Sequence, residues 1–191
     1  AETKTEEFRA SFHLYQHYQL ASPFQLYHQA DFIEEENRFL SKDDSTRFDP
    51  VVIDSTTAQD LAKFSSMRQE FGIKGNLGKV YYSAYYKLRT YKYNNPYLQG
   101  ISLPVETNGN EQYLGVRAGF QLDSVTDVSA SAEYLFGGFS KLEAEIRSPW
   151  LDASFRNTIS KPGFMQQVYR GQYDYWANSF TGINMTQAKA M

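Results

Sequence analysis

KLEAEIRS, residues 141–148, alternates without a slip: Lys141, Glu143, Glu145 and Arg147 share one parity, and Leu142, Ala144, Ile146 and Ser148 share the other. Successive side chains of a strand point to opposite faces, so this stretch predicts a strand with one charged and one apolar face. The fold turns on which face meets water. In a soluble sandwich the apolar face packs inward, whereas in a membrane barrel it faces lipid and the charges line an interior.

The same period runs along most of the chain. In residues 7–20, Phe8, Ala10, Phe12, Leu14, Tyr18 and Leu20 oppose Arg9, Ser11, His13, Tyr15, His17 and Gln19. In residues 24–32, Phe24, Leu26, Ala30 and Phe32 oppose Gln25, Tyr27, Gln29 and Asp31, with His28 breaking the pattern. Residues 79–93 present Tyr82, Ala84, Tyr86 and Leu88 against Tyr81, Ser83, Tyr85, Lys87 and Arg89. Further on, Leu114, Val116, Ala118, Phe120 and Leu122 oppose Gly115, Arg117, Gly119 and Gln121. Val128, Ala130, Ala132, Tyr134 and Phe136 then oppose Ser129, Ser131 and Glu133, and Leu151, Ala153 and Phe155 oppose Asp152, Ser154 and Arg156. The count is eight strands and a weaker ninth from Thr181, all-β and antiparallel. Three connections are expected as loops: a long polar one at 34–66, one at 94–111 and an aromatic one at 160–180. Within the first, TTAQDLAKFSSM has the look of a short helix started by Thr57.

Composition narrows the alternatives. Fifteen Tyr, fourteen Phe and two Trp in 191 residues favour strands, and a net charge of −3 makes no case for nucleic acid. The absence of Cys excludes disulfides and thiolate chemistry. No apolar run approaches 18 residues, so no transmembrane helix is expected. The mean hydropathy of −0.57 does not test for barrel strands, whose alternation averages to polar. The opening AETKTEEF carries neither an initiator Met nor a signal sequence, which is expected of a processed or partial chain.

Motifs that suggest chemistry read more simply as sheet. GIKGNLGK, residues 72–79, has glycines and a Lys, but Ile73 and Val80 stand where a phosphate-binding loop needs Gly and Ser or Thr; a hairpin turn explains it. His13 and His17 lack the Glu of a zinc-protease helix and on a strand would stand ~13 Å apart. Glu143 and Glu145 resemble an acid/base pair, yet Lys141 and Arg147 flank them, as in a solvated charge ladder. There is no Gly-x-Ser-x-Gly elbow, and the NMT at 184–186 is a chance match to a glycosylation acceptor. No enzyme, metal or cofactor is expected.

Strand length and loop asymmetry separate barrel from sandwich. The arm at 79–93 greatly exceeds the mode of roughly five or six residues in globular sheets, and a tilted membrane crossing takes about 9 to 11. Connections near 21, 76, 125 and 149 are tight while those between are mostly long, as on the two rims of an outer-membrane barrel; Gly137 and Gly138 form the one tight turn on the long-loop side.

Two stretches then resemble the putative porin family of Bacteroidetes outer membranes: EFGIKGNLGKVYYSAYYKLR at 70–89, and PGFMQQVYRGQYDYWANSF at 162–180 with its Trp176, Asn178 and Phe180 ending. Family members are several times longer, so the resemblance implies a transmembrane barrel or a segment of one, in a bacterial outer membrane. Its motifs are structural and imply no chemistry. The expected function is passive diffusion of small polar solutes. Lys87, Arg89, Arg117, Glu133, Lys141, Glu143, Glu145, Arg147, Asp152 and Arg156 would line the lumen, with Arg9 and Asp31. Tyr18, Tyr82, Tyr86, Tyr134 and Trp150 would anchor at the lipid interface. Expected partners are outer-membrane lipid, small polar solutes, and other envelope proteins or further barrel strands. The rival readings are a non-conducting structural barrel subunit and a soluble β-sandwich that binds carbohydrate.

Overall fold

The structure is a computed structural model that describes residues 3–21, 23–41, 58–95, 107–162, 164–170 and 175–191. It is a nine-stranded antiparallel sheet in the order β1-β2-β3-β4-β5-β6-β7-β8-β11. The strands are β1 (Thr3–Ala21), β2 (Phe24–Ser41), β3 (Ala58–Leu77), β4 (Val80–Asn94), β5 (Asn108–Gln121), β6 (Asp127–Leu135), β7 (Phe139–Arg147), β8 (Asp152–Ser160) and β11 (Ile183–Ala190). Between β8 and β11 lie a one-turn helix α1 (Phe164–Gln167) and the hairpin β9 (Val168–Arg170) with β10 (Tyr175–Ala177). KLEAEIRS is the last seven residues of β7 with the first residue of its following turn, the strand being paired on one side with β6 and on the other with β8.

Three loop expectations are corrected. Residues 34–41 and 58–66 continue β2 and β3 and pair from Glu34↔Ser65 up to Ser41↔Ala58, so the 34–66 connection shrinks to 42–57 and the helix after Thr57 is strand. These strand ends carry polar residues on both faces and lack the alternation that announces a half-buried strand. Ladder pairing overrides the modest helical preference of Ala, Leu and Lys. The 94–111 loop begins one residue later, after Asn94, and ends where β5 starts at Asn108. The 160–180 loop contains α1, β9 and β10.

The tight turns carry matching chemistry. Gly78, at φ 62°, opens the two-residue turn from Leu77 to Val80, while Gly75 belongs to β3. Gly137 and Gly138, at φ 128° and 100°, turn β6 into β7; only glycine adopts those values without strain. In the turn after β5 the Val125 N–H donates to the Asp123 carboxylate at 2.9 Å, and this holds its pKa below the ordinary carboxylate value.

The register shows how the sheet would sit in a bilayer. Phe24, Gly75, Tyr82, Ala118, Ala130 and Ala144 form one row across β2 to β7. On that face the last large apolar side chain before a run of polar residues or the end of the strand lies progressively closer to the row: Phe32 and Met67 at eight residues, Leu88 at six, Leu114 and Tyr134 at four, Leu142 at two, with Leu61 standing apart beyond Ser65 and Lys63 in β3. The apolar boundary therefore shifts by six residues, about 20 Å, across five strand spacings of about 24 Å in total, a tilt of about 40°. Transmembrane barrel strands tilt by roughly 35–45°. From Met67 to Leu77 the apolar stripe of β3 runs about 33 Å along the strand, hence about 25 Å along the normal, the height of a barrel's apolar band. His28 and Gln69 interrupt that band, His28 stacking flat on Phe71 at 4.4 Å.

Candidate pore-lining face

The buried side chains of the sheet all lie on its charged face. Tyr27, Glu70, Ser83, Tyr85, Lys87 and Tyr91 are buried there, whereas on the apolar face Phe12 is 61% exposed and Val116 52%. A soluble sandwich shows the reverse, because hydrophobic burial drives it. The contiguous apolar surface spread over eight strands is far larger than a soluble monomer tolerates.

Tyrosine rings laid over glycines build the buried layer. Tyr27 pairs with Gly72, Tyr85 with Gly115 and Tyr91 with Gly109 across adjacent strands. A Cβ on Gly72 would come within 2.5 Å of the Tyr27 ring, and one on Gly109 within 2.8 Å of the Tyr91 hydroxyl. The missing side chains let each ring lie flat along the wall and leave its hydroxyl free to reach a neighbour. The Tyr27 hydroxyl donates to Glu70 at 2.8 Å and that of Tyr85 to Glu133 at 2.7 Å.

Around these rings the charges pair both between strands and along them. Arg89 meets Glu111 at 3.0 Å, Arg117 meets Glu70 at 3.4 Å, and Lys87 meets Glu133. Lys141 at 2.9 Å and Arg156 at 2.5 Å both hold Glu143, and Arg147 holds Glu145 at 2.7 Å. Arg68 binds Asp31 at 2.8 Å, which also receives His13. The register places Lys87, Arg89, Arg117, Glu133, Lys141, Glu143, Glu145, Arg147, Asp152 and Arg156 on this one face. Asp152 sits opposite Arg147 without a direct ion pair among the described residues. Sequence reasoning missed Arg68, Glu70, Lys74 and Glu111 on the same face. Strict alternation through QEFGIKG carried the signal for Glu70 and Lys74, while Arg68 and Glu111 sit where polar residues occupy both faces. Arg117 and Lys87 also cap the Tyr85 and Tyr113 rings at 4.3 Å and 4.2 Å.

The segment after β8 folds onto this face at the long-loop rim. Val168, fully buried, packs with Ala62 and Tyr93, and Phe64 packs against the cluster. Tyr169 stacks on Trp176 at 4.6 Å across the β9–β10 hairpin. Part of the 160–180 stretch thus lies over the charged face rather than outside the rim.

A sheet whose strands tilt like those of a transmembrane barrel, apolar on one face and charged on the other, defines the wall of an outer-membrane type β-barrel. The chain belongs to the porin family described as "Putative porin", whose family model matches residues 2–191. No curated protein and no solved structure matches it. Membership and fold describe a porin-like barrel protein.

Proposed function

We propose that this chain forms part of the wall of a water-filled outer-membrane channel through which small polar solutes diffuse. The observation that carries the reading is the inverted sheet, with its apolar face exposed over a band of bilayer height and its buried, hydrogen-bonded side chains on the charged face. The tight-turn rim then faces the periplasm and the long-loop rim the outside. Nine antiparallel strands leave β1 and β11 running in the same direction at the two open edges, so antiparallel closure takes an odd number of further strands. The intact detergent-extracted protein in planar bilayers should give stepwise ion currents. Inserted protein that reproducibly passes no current would remove the channel from this proposal.

The Val168 contact favours a second reading, a barrel whose interior is closed by its own loop. Val168→Asp would bury a carboxylate without a partner and release the segment from Ala62 and Tyr93. Unit conductance should then rise if that loop narrows an open pore, and current should appear only in the variant if the loop seals it. Unchanged conductance would mean the segment does not limit passage.

A further inference from the structure

The formal charges on the inner face nearly balance, but within its ion pairs their accessibility does not. Glu70 is 6% exposed where its partner Arg117 is 44%, and Asp31 is 15% where Arg68 is 44%. Glu143 is 28% exposed against 52% for Arg156, and the same order holds for Arg89 with Glu111, Lys141 with Glu143, and Arg147 with Glu145. Lys87 with Glu133 is the exception, both being largely covered. The cause is side-chain length: carboxylates end close to the sheet, among the tyrosine hydroxyls that bind them, while guanidinium and ammonium groups reach past them. Each of the other pairs is a dipole with its positive end toward the space the sheet faces.

One row concentrates the effect. Lys74, Ser83, Arg117, Ser131, Glu143 and Arg156 lie side by side across β3 to β8, with three cations and a single carboxylate. Lys74 sits over the Tyr15 and Tyr27 rings, at 5.2 Å and 6.0 Å, and pairs with no carboxylate among the described residues. The cations are spaced by about 10 and 14 Å, two and three strand widths, and strand tilt makes their row climb obliquely through the wall.

We infer that this face is an anion-conducting surface, on which Lys74, Arg117 and Arg156 form a stepped track for small oxyanionic solutes such as carboxylates and phosphate. Guanidinium forks match the oxygen pairs of those groups, and stations spaced along the wall allow transfer from one to the next without tight capture at any. The inference rests on the channel reading for conduction, and the lining has its own readout.

In a KCl gradient, the reversal potential of the intact protein should show chloride favoured over potassium by about threefold or more, and Arg117→Gln with Arg156→Gln should lower that ratio. Because the chain has no Cys, Ser131→Cys introduces a single thiol between Arg117 and Glu143. A negatively charged methanethiosulfonate should modify it several-fold faster than a positively charged one, and Arg117→Gln should reduce the difference. Cation selectivity, equal rates with the two reagents, or rates unaffected by Arg117→Gln would overturn the inference. Absent current with the anionic reagent still favoured would overturn conduction while the cationic lining stands.

Discussion

Ala118→Arg is expected to weaken membrane insertion by about 2 to 4 kcal/mol, the cost of Lys or Arg at the midplane of a barrel's lipid face. Ala118 is the midpoint of the apolar stripe that runs from Leu114 in β5 to Leu122 just past its end, four residues from each. Its cross-strand neighbours are Tyr82 and Ala130. No carboxylate on that face lies in its row to pair with the guanidinium, whose route to either interface is longest from the centre of the band. Ser129→Arg is the matched control. It lies one residue from Ala130 in β6, on the charged face opposite Gly119 and Glu145, where a long cation joins others in water. Equilibrium unfolding of both variants in lipid should separate them by most of the predicted penalty. Equal stability would mean that the apolar face does not meet lipid.

Gly115→Val should destabilise the sheet by about 1 to 3 kcal/mol, the usual cost of forcing extra volume into a packed site. A Cβ there would lie 2.1 Å from Cζ of the Tyr85 ring, so the ring must move. Moving it breaks the hydroxyl's 2.7 Å bond to Glu133 and uncovers the side of the ring that Arg117 caps. The backbone at Gly115 has no positive φ, so the penalty comes from space and not from conformation. Removing the ring with Tyr85→Ala should therefore make Gly115→Val nearly harmless. A double-mutant cycle should show strong coupling, since the residues touch; purely additive losses would argue that the ring does not occupy the place the glycine vacates.

Legibility along the chain followed the environment of each face. Where one side meets lipid and the other meets polar groups, as at Leu142, Ala144 and Ile146 against Lys141, Glu143 and Glu145, alternation is strict and the strand is readable. Above the apolar band both faces are polar, and Glu34, Glu35 and Glu36 look like a loop although they pair with Ser65, Phe64 and Lys63. Gly72 and Gly115 carry no sign in sequence of what lies over them. The opposed Tyr27 and Tyr85 are 45 and 30 residues distant along the chain, and only register brings each pair together.

KLEAEIRS shows both limits. Its own residues determine a strand with two unlike faces, because a period of two sorts side chains whatever surrounds them. Which face is outward depends on neighbours. Leu142 stands between Ala132 and Asn157 in an apolar boundary that shifts at the tilt of a membrane wall, and Glu143 is held by Lys141 and Arg156 on the face where the tyrosines are buried. The order of the main strands, and the extent of those parts that cross the apolar band, were in the sequence. The recession of the carboxylates behind their cations, and with it the sign the wall presents to a solute, was decided by packing in three dimensions, because accessibility depends on how far each side chain reaches past its neighbours.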